Sequence, residues 1–307
     1  MGREPDYLAY LRARLAAEPP AGRKGITQIR DEHAADLATL PRPPVEVVED
    51  LTIDGPAGPL PARLYRPAAA PSPSPALVYF HGGGWVLGDV ESYDPVARAL
   101  TLACGITLIS VGYRRPPEHP YPAPVDDAAA AVRWTTAHAG RHGIDPARIG
   151  VAGDSAGGQL AAAAAWRLRG DQAPALQLLV YPAVDLRTVP PDLPDPDGLE
   201  FPRGGLARIL ELYLHGTDRT LPEVSPLLVP DPHTLPPTII ATAEHDRLRP
   251  QAERYAQRLT RAGVDTTLIT GTGLDHGFLG WGSYARRPAE AVAEIGAAVH
   301  ARLTRRR

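Results

Sequence analysis

The 307-residue sequence contains one cysteine, Cys104, and one lysine, Lys24. A single thiol excludes an intrachain disulfide framework and any cysteine-built metal centre, which suits a reduced, cytoplasmic setting. No long uncharged apolar run is present, so no membrane span is expected. The opening "MGREPDYLAYLRARL" is too charged for a secretory signal and has no apolar core. It also has Asp6 where a myristoylation signal needs Ser or Thr. Basic and aromatic residues do not cluster together, and the net charge is −3, so nucleic acid is not an expected partner. The closing Arg305, Arg306 and Arg307 read as a solvated tail.

Hydrophobic residues make up 44% of the chain and charged residues 22%, enough for a large core in a soluble enzyme. Proline is heavy, with 35 residues, about twice the usual share. With arginine far outnumbering lysine, this reads as the genomic bias of a GC-rich bacterium.

Leu8, Leu11 and Leu15 predict a first helix, ended by Pro19 and Pro20. Ile26, Ile29, Leu37 and Leu40 predict a second. The strands "VEVVEDLTI" and "LPARLYRP" follow, with "DGPAGP" between them as a turn. "ALVYF" and "ITLISV" read as buried strands. From there helices and strands alternate, with helices expected in "DDAAAAVRWTTAHAG", "SAGGQLAAAAAWRL", "QAERYAQRLTRAG" and from about Pro288 to Leu303. The intervening strands are "RIGVAG", "LQLLVY", "PTIIATA" and "DTTLIT". Such alternation predicts βαβ units and a mostly parallel central sheet with helices on both faces. One stretch interrupts it: Asp185 to about Pro236 is proline-rich and irregular apart from a helix near Leu206–Leu214. The expected organisation is cap helices over residues 1–44, core over 45–184, a cap insertion over 185–236, and core again over 237–307.

Between a buried strand and a helix stands "GDSAGG". It fits G-x-S-x-G, in which a strained serine needs small neighbours and the helix N-terminus behind it favours developing negative charge. Ser155 is therefore a candidate nucleophile. Two other readings stand beside it: a plain helix cap, and a phosphate cradle, which the missing Gly-Lys-Ser/Thr ending disfavours. A serine needs a base. His33, His138, His142 and His300 fall on helices or their ends and read as surface residues. His119 lies in a proline-rich loop, and His215 and His233 lie in the insertion. His276, in "GTGLDHGFLG" after the last strand, is where chain order puts the base. The acid should follow the preceding strand, in "PTIIATAEHDRLRP". Asp246 is the candidate, Glu244 the alternative, and Asp275 is disfavoured as the immediate neighbour of the histidine. "HGGGWVLGD" follows "ALVYF", and its glycines let backbone amides approach a substrate closely. Gly83, Gly84 and Ala156 are the candidate oxyanion donors, and His81 is read as pinning this loop. Trp85, Leu206, Leu210 and Tyr213 are candidates for an apolar acyl pocket. Asp154 has no assigned role beyond a contact holding the elbow.

Together, "HGGGWVLGD", "GDSAGG", "YRRPPEHPYPAPVDD", "YPAVD", "SPLL", "AEHDRL" and "DHGF" resemble the hormone-sensitive-lipase-like carboxylesterases of the α/β-hydrolase superfamily. The resemblance runs from about Val45 onward. It implies an α/β-hydrolase fold with a helical cap, a triad of Ser155, Asp246 and His276, no metal or organic cofactor, a small-molecule ester substrate and a possible homodimer. "YRRPPE" departs from the family's usual Tyr-Arg-Leu-Ala-Pro-Glu at Arg115 and Pro116. Arg247 and Pro250 likewise replace residues common after the acid. The expected activity is serine carboxylester hydrolysis of small to medium acyl esters. The alternatives are an amidase or deacetylase of an acylated metabolite, a true lipase, and a non-catalytic ligand-binding protein on the same fold.

Overall fold

The computed structural model describes residues 2–17, 24–170, 172–191, 195–199 and 205–305. Pro19, Pro20, Arg306 and Arg307 lie outside them. In chain order the strands are β1 (Val47–Gly55), β2 (Gly58–Arg66), β3 (Ser74–Phe80), β4 (Thr107–Val111), β5 (Ile144–Asp154), β6 (Gln177–Val180), β7 (Thr238–His245) and β8 (Thr266–Asp275). They form one sheet ordered β1-β2-β4-β3-β5-β6-β7-β8. The β1–β2 and β2–β4 pairs are antiparallel and every later pair is parallel, so the sheet is mostly parallel as the alternation predicts.

Side-chain alternation divides the core into two layers. From β3, Ala76, Val78 and Phe80 join the cluster on one face, while Leu77 and Tyr79 join the cluster on the other. The first face is covered by α4 (Ala123–His138), α5 (Ala156–Arg167) and α7 (Arg249–Arg261). The second is covered by α3 (Asp94–Cys104) and α8 (Arg286–Thr304), with α1 (Pro5–Ala17) at its end. Tyr7 and Leu11 of α1 are fully buried there, each burial worth roughly 1.5–3 kcal/mol. The second helix, α2, covers Ile26–Leu37, and the insertion carries α6, Gly205–Leu214. Among the described residues no helix is long and apolar enough to cross a membrane.

Three local differences from the sequence reading have physical causes. The first hairpin is tighter, because β1 and β2 pair up to Gly55 and Gly58 and absorb most of the expected turn. Helix α3 was passed over. Its buried face carries Asp94 and Thr101 among Pro95, Val96, Ala97, Leu100 and Cys104, so polar residues interrupt an otherwise apolar stripe. Asp94 is kept there by Tyr65 and Arg98, which donate to it at 2.9 and 2.7 Å. Finally, β8 runs on through the stretch read as a glycine-rich loop and ends at Asp275.

Candidate active site

All the singled-out segments meet at the carboxyl edge of the parallel strands, where α/β sheets place their sites. The "HGGGWVLGD" loop leaves β3, and β3 pairs with β5, the strand that leads into Ser155. At the other side, β7 and β8 pair so that His245 stands opposite Asp275. Asp246 and His276, the next residues of the two strands, therefore emerge side by side.

Ser155 sits at the β5–α5 corner with φ 54° and ψ −114°, a strained conformation for a residue with a side chain. The corner closes because α5 crosses close over β3 and β5. A Cβ on Gly157 would stand 1.9 Å from the Phe80 carbonyl oxygen, and one on Gly153 would stand 2.1 Å from that of Gly157. The serine heads the helix but makes no capping bond with its side chain, so the capping role fails. Its Oγ instead lies 2.9 Å from His276 Nε2, and His276 Nδ1 lies 2.7 Å from Asp246 Oδ2. A carboxylate only accepts, so Nδ1–H donates to Asp246 and Nε2 is left to accept the serine proton.

Asp246 is nearly fully buried, and its second oxygen accepts the Leu248 amide at 2.8 Å. Burial works against a charged His276, but the Asp246 charge and hydrogen bond, helped by Asp154, outweigh it and hold the imidazole above its ordinary pKa. Neither alternative acid approaches the imidazole in this way. Glu244 accepts the Gly273 amide at 2.7 Å, and Asp275 accepts two bonds from Arg3.

Asp154 acquires a structural explanation. Its carboxyl is buried beneath the elbow, accepts from Tyr79 Oη at 2.6 Å and Tyr181 Oη at 3.5 Å, and lies against Gly82, where a Cβ would be 2.4 Å from Oδ2. Burial pushes its pKa up to about 6, opposed by the Tyr79 hydroxyl. The Tyr181 ring packs 4.7 Å from the His276 ring and so connects this carboxyl to the imidazole.

The glycine loop turns through positive φ at Gly83 and Gly84 (93° and 59°), and the Gly83 carbonyl accepts the Leu87 amide at 2.8 Å. Among the described residues no protein acceptor takes the amides of Gly83, Gly84 or Ala156. His81 is fully buried between Tyr113 and Tyr93, and burial pushes its pKa down to about 4. Neutral, it donates Nδ1–H to the Gly82 carbonyl at 2.9 Å.

The four pocket candidates lie around this loop. Trp85 and Tyr213 are buried and stacked at 4.3 Å, and both donate to Gln159 Oε1. Leu210 is buried in the same core cluster and Leu206 is half-buried. Ile209, part of the apolar spacing of α6 but not among the pocket candidates, is the side chain that reaches Gly84: a Cβ there would meet it at 2.8 Å. Arg30 of α2 was also missed. It donates to the Val86 carbonyl at 2.9 Å and the Pro116 carbonyl at 2.8 Å, and pairs in a fork with Glu118. Arg115, the unusual residue of "YRRPPE", donates to the Gly88 carbonyl. The helical histidines are not all simple surface groups: His33 is partly buried, and His300 donates to the Cys104 carbonyl at 2.9 Å. Among the described residues no cluster of His, Cys, Asp and Glu is arranged to hold a metal.

Known proteins agree with this architecture. A family model described as an α/β-hydrolase fold matches residues 77–280. Esterase LipI of Mycobacterium tuberculosis is 38% identical over 278 residues, 87% of this chain and 86% of that one. Carboxylesterase NlhH of the same organism is 40% identical over 254 residues, 79% of each. A hyperthermophilic esterase from Pyrobaculum calidifontis superposes with a TM-score of 0.88 at 35% identity, covering 98% of this chain and 99% of that one. The chain belongs to the hormone-sensitive-lipase-like branch of the α/β-hydrolases.

Proposed function

We propose that this protein is a serine carboxylester hydrolase acting on small to medium acyl esters through an acyl-enzyme. The observation that carries the reading is the unbroken relay Asp246–His276–Ser155, with bonds of 2.7 and 2.9 Å ending on a strained serine at a helix N-terminus. His276 Nε2 takes the Ser155 proton as Oγ attacks the ester carbonyl. The amides of Gly83, Gly84 and Ala156 donate to the oxyanion, each such bond being worth about 3 kcal/mol of barrier. The tetrahedral adduct collapses, and His276 returns the proton to the leaving alcohol. Water, deprotonated by the same imidazole, then attacks the acyl-serine and releases the acid. Every step uses this chain's own groups and a single water molecule.

The residues of α1, α2 and the described part of the 185–236 insertion form the cap. Arg30 on the glycine loop and Ile209 on Gly84 support this. Ile209 and Leu206 face the acyl chain, with Leu210, Tyr213 and Trp85 packed behind. The relatives' printed names, esterase and carboxylesterase, favour ester over amide substrates. The reading includes a cytoplasmic setting and leaves room for the homodimer that the resemblance allows.

Steady-state hydrolysis of p-nitrophenyl esters from acetate to dodecanoate, beside matched anilides, tests it, with Ser155→Ala as control. The reading expects fastest turnover on short to medium esters, little on anilides, and about a 10⁶-fold loss in the variant. Anilides outpacing esters would move the chain to the amidases. A variant as active as the parent would sink the mechanism.

A further inference from the structure

The most heavily paired buried cation among the described residues outside the relay is Arg3. Its side chain is fully buried, although it stands only two residues before α1. It forms a two-bond fork on Asp275, Nε to Oδ2 at 2.8 Å and Nη2 to Oδ1 at 2.6 Å. The other side of the same guanidinium donates to Asp195 at 3.0 Å and Asp197 at 2.7 Å. Asp195 also caps its own turn, accepting the Asp197 and Leu199 amides. One cation thus ties together three segments: the approach to the first helix, the early part of the insertion, and the end of β8.

The last of these matters for the chemistry, because Asp275 is followed directly by His276. Its backbone is held from the same side, with the Asp275 amide donating to Tyr7 Oη at 3.2 Å. Three carboxylates on one guanidinium leave this cluster negative. A buried arginine facing them is far costlier to remove than a surface one, since the carboxylates lose their counter-charge together.

We propose that Arg3 is a positioning residue for His276: it latches both halves of the cap to the β8 end and sets the charge beside the imidazole. The inference rests on His276 being the base. Arg3 itself touches no reacting atom, so its removal acts on kcat and the pH profile, with little effect on KM for a short ester that does not fill the acyl pocket. The groups facing the imidazole directly are Ser155, Asp246 and Arg247 with the Tyr181 ring, and the buried Asp154 beneath; Arg3 variants leave all of them in place. Without the guanidinium, the uncompensated carboxylates favour protonated His276. The imidazole must be neutral to act, so the acid limb of kcat/KM moves to higher pH. Replacing Asp275 by asparagine leaves Arg3 with less compensation, favours neutral His276, and moves the limb the other way.

The test is kcat/KM against pH for Arg3→Met, Arg3→Lys and Asp275→Asn on a short p-nitrophenyl ester, with circular dichroism confirming folding. The parent's own turnover judges the esterase reading separately. Arg3→Met is expected to raise the acid limb by about half a pH unit or more and lower kcat about tenfold, with KM within about twofold. Arg3→Lys is expected to return the limb toward the parent while kcat stays reduced, because an ammonium restores charge but not the fork. Asp275→Asn is expected to lower the limb, and it decides the matter if Arg3→Met does not fold. Folded variants with the parent's acid limb, or shifts of the same sign from Arg3→Met and Asp275→Asn, would overturn the proposal.

Discussion

Ser155 and His276, the proposed nucleophile and base, are held in place by different means. Ser155 is fixed by main chain: β5 runs into α5, glycines let the two cross, and the serine carbonyl accepts the Gln159 and Ala183 amides at 3.2 and 3.1 Å. His276 is fixed by side chains reaching in from distant segments, namely Asp246, Tyr181 and, through Asp275, Arg3. Main-chain geometry inside a packed sheet cannot shift without unfolding, whereas a loop held by ions can lose alignment while the fold survives. Removal of the Ser155 hydroxyl itself aside, damage to activity alone should therefore concentrate on the base side, and damage around the elbow should register first as stability.

The largest effect expected from that contrast is at Asp246. Asp246→Asn should keep the fold but lose about 10⁴ in kcat, because the imidazole loses its working tautomer. The Asp246 charge also raises the His276 pKa, so removing it should move the acid limb to lower pH. A pH-rate profile of the residual activity shows both. A loss under tenfold would mean another group orients the ring.

Arg30→Met comes next. It frees the Val86 and Pro116 carbonyls and loosens the glycine loop from α2. About a tenfold drop in kcat is expected, with KM within about twofold and the acid limb unmoved. A shifted limb would mean that the two sides of the site are not held separately.

The smallest effect is at Asp154, under the elbow. Its folded pKa of about 6 lies above the ordinary carboxylate value, so its contribution to stability is present at low pH and is lost as pH rises through about 6. Asp154→Asn cannot ionise, so its Tm relative to the parent should rise by roughly a few degrees between about pH 4 and pH 7. A difference that is flat with pH would show that the carboxyl is not buried as described.

The same division explains what the sequence made legible. The elbow, the glycine loop and the order of acid and base are local patterns: strand ends and chain order pointed to Ser155 and His276 and put Asp246 ahead of Glu244 without settling between the two. The contacts of Arg3 and Arg30 are with residues up to 272 and 88 positions away, and arginine is so common in this chain that neither stood out. Asp275 was disfavoured as the acid on the ground that neighbours rarely point at each other; in the structure it points at Arg3. Ile209 was hidden among similar aliphatic residues of α6, since spacing gives the buried stripe of a helix but not which member reaches a backbone turn.

The central claim is that Ser155 forms the acyl-enzyme with His276 as its base, and intact-mass analysis after a fluorophosphonate probe tests it most directly. One phosphonyl adduct per chain is predicted, located on Ser155 by peptide mapping, absent from Ser155→Ala and greatly slowed in His276→Ala. An adduct on any other residue, or full labelling of Ser155→Ala, would contradict it.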